Sequence, residues 1–257
     1  MIQFAFQNTL QDFLRLGRFL TWGLVALGVG IAAFVWSRFQ PGAGPETYGQ
    51  VSQVIVLRVL ALSSAIFTVQ VISAEVEQKT IVYWLTRRLS RTQVLVSRTL
   101  ASIVAVIVTT SAAWLVSGLA VLGPRAFQTG AFWWDFVLIV IGAFAYGAFF
   151  VFLSLLLNKA MIYCLLFAFG WETFVPNMPG DLTYMSIYPY LRALGKHPAP
   201  QQQGEAGLTD VLSGGLSSIA IAPQAAWIVL IGITVFFAGL SIYWFNHFEY
   251  SPREDSE

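Results

Sequence analysis

Six apolar runs, most near the length of a membrane crossing, dictate what this chain can become. They occupy residues 19–36, 51–73, 94–122, 136–157, 160–175 and 225–245. A helix needs about 20 apolar residues to cross a hydrocarbon core of ~30 Å. Inside lipid every backbone polar group must be bonded within the protein, so only helices and closed barrels span, and runs of this length suit helices. Only 11% of the 257 residues are charged, against about 25% in soluble domains. The third run is longer than it needs to be, and its membrane part is expected over 99–119. The fifth is short. Its 16 residues reach only about 24 Å, so it ends early or is helped by the segment after it. The first run lacks a small-residue cleavage signature after it and reads as a retained span.

Orientation is set by lysine and arginine. With the amino terminus inside, the cytosolic segments hold Arg15, Arg18, Lys79, Arg87, Arg88, Arg91, Arg98, Lys159 and Arg253, and the opposite side holds Arg38, Arg125, Arg192 and Lys196. Nine against four, with Arg58 inside a span, places both termini in the cytosol. Trp22, Trp36, Trp133, Trp134, Tyr243 and Trp244 mark span ends, as an aromatic belt does. Before the first span, Phe6, Leu10, Phe13, Leu14 and Gly17 fall at helical spacing opposite Gln7, Gln11, Asp12, Arg15 and Arg18. That pattern predicts an amphipathic helix in the inner interface over 1–18. The fold class expected is an all-α integral membrane protein, one transmembrane domain over 1–257. It has six transmembrane helices, the amino-terminal interfacial helix, and a cytosolic coupling helix between helices 2 and 3.

Most catalytic chemistries fail on inventory. No GxxxxGK[ST] stretch exists; the one Gly-Lys pair, Gly195-Lys196, is followed by His197, so no P-loop ATP site is expected. The two histidines, His197 and His247, lie at or beyond span ends, and no Cys/His metal cluster is expected. Gly215-Leu216-Ser217 lacks the second glycine of a nucleophile elbow, and no histidine lies in a span, which excludes an intramembrane serine protease. The single cysteine, Cys164, excludes an intrachain disulfide. A net charge of +1 gives no ground for a nucleic-acid partner, and none is expected. The segment 176–223 holds six of the ten prolines and a Gln201-Gln202-Gln203 run, and reads as an external loop. Its Leu182, Tyr184, Met185, Ile187, Tyr188, Tyr190 and Leu191 suggest an interfacial helix on the outer leaflet.

The charged stretch over 74–93 carries the functional argument. It could collect basic residues only to fix topology. Its pattern says more. Glu75 and Lys79 stand four apart in the favourable order, while Ile81, Trp84, Leu85 and Leu89 form an apolar stripe beside Arg87, Arg88 and Arg91. Ser90-Arg91-Thr92-Gln93 is a capping box that opens straight into the third apolar run. A compact charged helix of this kind, in a chain with no nucleotide site, is suited to receive work from elsewhere.

Glu75-x-Glu77-x-x-Thr80-Ile81-x-x-x-Leu85-x-x-x-x-Ser90-Arg91, placed after the second span, resembles the permease subunits of type 2 ABC (ATP-binding-cassette) exporters. The likeness extends to the six-span layout, the amphipathic start, and Trp171-Glu172 near the end of the fifth span with Pro179-Gly180 beyond. Lys79 stands where the family has glycine, and Arg88 where it has proline. The resemblance implies a translocation path formed with a second permease copy, identical or related, and lined at the dimer interface by the second and fifth spans. It implies two separate ATPase subunits that bind ATP and Mg and grip the coupling helix through Glu75, Glu77, Lys79, Thr80, Trp84, Arg87, Arg88, Ser90 and Arg91. The chain itself is then no enzyme and binds no cofactor, and it resides as a multi-pass protein in a bacterial inner membrane.

Two further features stand out. Arg58 and Glu172 lie ~10 Å and ~5 Å from the outer ends of their spans, deep enough to be paired. They either clasp the second and fifth spans together or cap external backbone separately. Phe67 and Val71 on the second span, with Phe167, Phe169, Trp171 and Phe174 on the fifth, either line a hydrophobic path or face lipid and neighbouring spans. Competing readings are a secondary transporter or channel, and a non-transporting membrane anchor for an ATPase.

Overall fold

The computed structural model describes residues 16–39, 44–70, 91–177, 181–197 and 221–247. All regular structure among them is helical. We number the helices α1 (Leu16–Phe39), α2 (Gly44–Val69), α3 (Arg91–Leu122), α4 (Gly130–Leu156), α5 (Ala160–Phe174), α6 (Tyr188–Leu194) and α7 (Pro223–His247). Helices α1, α2, α3, α4 and α7 are each long and apolar enough to cross a bilayer, which marks a multi-pass membrane protein. α5 is a shorter apolar helix.

The helices alternate in direction, so the connections fall at two ends. Gly44 at the start of α2 abuts Leu122 at the end of α3, and the start of α4 meets the start of α2 there. At the opposite end, Thr92 at the start of α3 bonds Asn246 at the end of α7 at 3.0 Å. Leu95, Val151, Leu155 and Phe245 pack beneath that contact. α2 is the most enclosed of the long helices, flanked by α3, α4 and α5, while α1 leans on α3 and α7 on α4. α1 and α7 leave Leu24, Ile31, Ile228 and Val235 bare, the surface that hydrocarbon covers.

Two of the helices depart from regular geometry. α2 passes through a π turn at Ser52–Val56, and α5 through another at Phe167–Trp171. A π turn inserts a residue and re-aims the side chains beyond it, and such turns gather at functional positions. Here the residues just beyond the turns are Arg58 and Glu172.

α6 does not lie on the surface. Ile187, Tyr188, Tyr190, Leu191 and Leu194 are buried in the main core, whereas Leu182, Tyr184 and Met185 are exposed. The aromatic segment predicted to press on the outer leaflet thus turns back into the bundle in its second half. Gly142 on α4 makes room. An added Cβ there would stand 2.5 Å from Leu60 Cδ2 and 3.0 Å from Leu191 Cδ1, both on fully buried side chains. Gly142→Val is expected to destabilise by about 1–3 kcal/mol through overpacking, read as a lowered unfolding midpoint in detergent.

Candidate functional site

Two buried carboxylates organise one end of the bundle. Glu172 at the end of α5 is fully buried. Its carboxylate accepts from Ser186 Oγ at 2.7 Å, from the Ile187 amide at 3.0 Å and from the Tyr188 amide at 3.1 Å. The amides are those that a helix start leaves without partners, and Pro189 next in line has none to offer. A carboxylate also suits the positive end of the helix. Glu172 therefore seats the start of α6.

Arg58 on α2 completes this half. Its Nη1 donates to the backbone carbonyl of Glu172, and its guanidinium lies 4.4 Å from the centre of the Tyr188 ring. The cation also acts electrostatically on the Glu172 carboxylate. The two residues meet across α2 and α5, and the Glu172 side chain caps loop backbone at the same time. Burial pushes the Tyr188 phenol above its ordinary value, against the pull of the Arg58 and Arg192 cations. It stays neutral and donates to the Gln53 carbonyl at 3.3 Å.

The second carboxylate, Asp135 near the start of α4, is 3% exposed. Tyr48 Oη and Ser52 Oγ each donate to its Oδ2 at 2.7 Å, and His197 Nε2 lies 2.8 Å from its Oδ1. A carboxylate oxygen accepts, so the histidine nitrogen facing it is the one carrying hydrogen. Trp134 Nε1 donates to the Leu194 carbonyl at 2.7 Å, and Lys196 Nζ sits 3.9 Å from the Trp134 ring centre. Gly49 permits this approach, since a Cβ there would stand 3.1 Å from His197 Cβ. Trp114, Phe132 and Tyr48 wall the cluster with stacked and tilted rings. Asp135 holds the far end of the segment that Glu172 holds at its start.

Chemically these are clamps. A Ser-His-Asp relay needs the imidazole between the hydroxyl and the carboxylate; here Asp135 stands between Ser52 and His197. Among the described residues no group of three metal-ligating side chains occurs. The sequence alone missed this second cluster. Asp135 sits at the mouth of an apolar helix, and its partner is 62 residues away, with no local pattern to join them.

The remaining expected positions divide. Phe167 stacks on Trp171 and packs against Phe149 and Phe150, while Phe67 stacks on Trp22 of α1 at 5.1 Å. Phe169 and Phe174 are exposed. The structure thus brings Phe167 and Trp171 together and stacks Phe67 on α1. Val71, Glu75, Glu77, Lys79, Thr80, Trp84, Arg87, Arg88 and Ser90 lie outside the described residues, and Arg91 begins α3. No protein-family model matches the chain, and no curated protein sequence matches it.

Glu172→Ala strands three buried donors and is expected to destabilise by about 3–5 kcal/mol, with Glu172→Gln losing less because one amide oxygen still accepts. Unfolding in detergent measures both, and wild-type stability of the alanine variant would refute the clamp. For the other end, a cycle of Asp135→Asn and His197→Ala should fall short of additivity by about 0.5–3 kcal/mol.

Proposed function

We propose that the chain is the membrane-spanning subunit of an ATP-driven exporter. It works as a pair with a second permease copy and receives conformational work from two separate ATP-binding subunits. ATP and Mg belong to those partners. α5, short as it is, serves as one of six crossings, with the start of α6 bonded to its Glu172 carboxylate. The carboxylate network then faces away from the cytosol, both termini lie inside, and the setting is a bacterial inner membrane.

The observation that carries this reading is the length and anchorage of α3. Its 32 residues extend about 48 Å, well beyond a hydrocarbon core of ~30 Å. It begins within the last three residues of the charged stretch 74–93 and is tied to α7 by Thr92 and Asn246. A force applied to that stretch passes into a rigid rod packed on α1, α2 and α4. The exposed Leu166, Phe169 and Phe174 on α5 give a second copy an apolar face to cover.

One observation favours a secondary transporter or channel instead. Two helices interrupted by π turns carry ionisable residues just beyond the interruptions, the half-buried Arg58 and the buried Glu172, and broken helices with such residues occur where transported ions bind. Three donors already occupy the Glu172 carboxylate, which suits a structural role better. A non-transporting anchor for an ATPase would share the docking surface without the flux.

Affinity purification of the chain from its native membrane should recover an ATP-binding-cassette ATPase. Charge reversal of Arg87, Arg88 and Arg91 to glutamate should abolish recovery while leaving the chain folded. Recovery without ATP-dependent flux in proteoliposomes would favour the anchor, and flux without any ATPase the secondary transporter.

A further inference from the structure

Toward the end opposite the carboxylates, α3, α4 and α7 leave a cleft of about 180 Å³ between them. Leu95, Thr99 and Ile103 form one wall, Ala148 on α4 a second, and Thr234 and Ala238 on α7 a third. From Leu95 to Ile103 it runs about 12 Å along the helix. Its lip is apolar and open, with Val96, Leu100 and Phe144 exposed beside it. On α7 it continues into the bare face that holds Ile231 and Val235.

Its polar atoms narrow what can enter. Thr234 Oγ1 donates to the Leu230 carbonyl at 2.8 Å, and Ser241 Oγ to the Phe237 carbonyl at 2.7 Å, so both hydroxyls turn back on their own helix. Water finds no set of polar partners in such a wall and leaves apolar space dry. Thr99 differs. Its Oγ1 is buried and has no hydrogen-bond partner, although an enclosed hydroxyl ordinarily has one.

We propose that this cleft binds one acyl chain of a bilayer phospholipid, with an ester oxygen accepting from Thr99 once that hydroxyl rotates toward the cleft. Size selects the chain over a protein partner. An α-helix is about 10–12 Å across, and a length of one matching the cleft fills several times its volume. Position selects a phospholipid over a bare hydrocarbon. Thr99 lies eight residues into α3, about 12 Å from its first residue, which leaves the preceding turns for a head group. Arg91, Arg98 and Lys159 all belong to that end of the bundle, so the head group is anionic by charge complementarity. The proposal is independent of any ATPase partner.

The test places the purified chain in vesicles of phosphatidylethanolamine and phosphatidylglycerol, a fraction of the latter carrying a photoreactive group on one acyl chain. After irradiation, labelled peptides are mapped by mass spectrometry. Labelling of 95–103 and 234–242 should exceed by several-fold that of the bare α1 face around Leu24 and Ile31. Ala238→Phe, which fills the cleft, should abolish the excess, and Thr99→Val should reduce it. Ser241→Leu is a second filling variant should the first fail to fold, judged by its unfolding midpoint. Equal labelling of the cleft and the α1 face would overturn the proposal. So would an excess that survives in a folded filled variant, or efficient Ala238→Cys cross-linking between two copies.

Discussion

The end of the bundle that holds α6 exists because two carboxylates are buried there. Glu172 and Asp135 sit in helices otherwise built of apolar and aromatic residues, and an uncompensated charge in that setting costs several kcal/mol. Neither helix can supply donors from its own backbone, which is committed to the i−4 ladder. The donors come instead from Ser186, Ile187 and Tyr188 at one end of a short segment and from His197 at the other, with Tyr48 and Ser52 beside them. Drawing the chain back into the protein satisfies the carboxylates. It also brings Tyr188, Leu191 and Leu194 into the main core, with α6 against α7 and α4.

The π turns belong to the same arrangement. Arg58 comes two residues after the turn in α2, and Glu172 directly after the turn in α5. Regular helices would aim these residues roughly 100° elsewhere, since one inserted residue rotates all later ones by that much. Irregular backbone at membrane depth is tolerated where protein encloses it, and α2 is the most enclosed of the long helices. The π turn of α2 therefore sits where protein covers it, and the Gln53 carbonyl within it accepts from Tyr188 of the loop segment.

Much of this was legible in the sequence, for reasons that differ by element. The long helices announce themselves because lipid imposes a minimum apolar length; the run read as 225–245 is helix Pro223–His247, and the run 94–122 is Arg91–Leu122. The shortness of the fifth run was equally readable, and the Glu172 carboxylate near its end is bonded by Ser186, Ile187 and Tyr188 of the segment that follows. Helix ends were harder. α4 begins six residues before the apolar run does, because Phe132, Trp133 and Trp134 continue the helix past the point where hydropathy falls, and Asp135 is thereby carried inside. The meeting of Arg58 and Glu172 could be argued from matching depths. That of Asp135 and His197 could not, because a contact across 62 residues leaves no trace in periodicity.

Burying charge is a poor route to stability, since well-packed apolar residues in the same places are often as good or better. What the carboxylates supply is register. The buried face of α6 is leucine, isoleucine and tyrosine, and lipid tails are as apolar as those side chains, so hydrophobicity does little to hold the segment at one depth. A slide by one turn would exchange Leu191 for Leu194 against α4 at small cost in packing. It would also pull Tyr188 from Glu172 and His197 from Asp135, two fixed points nine residues apart on one short piece of chain. Satisfying both at once fixes the placement of α6, and Leu191 then packs with Leu60 into the space left at Gly142. The costly interactions choose the position, and the apolar ones fill it.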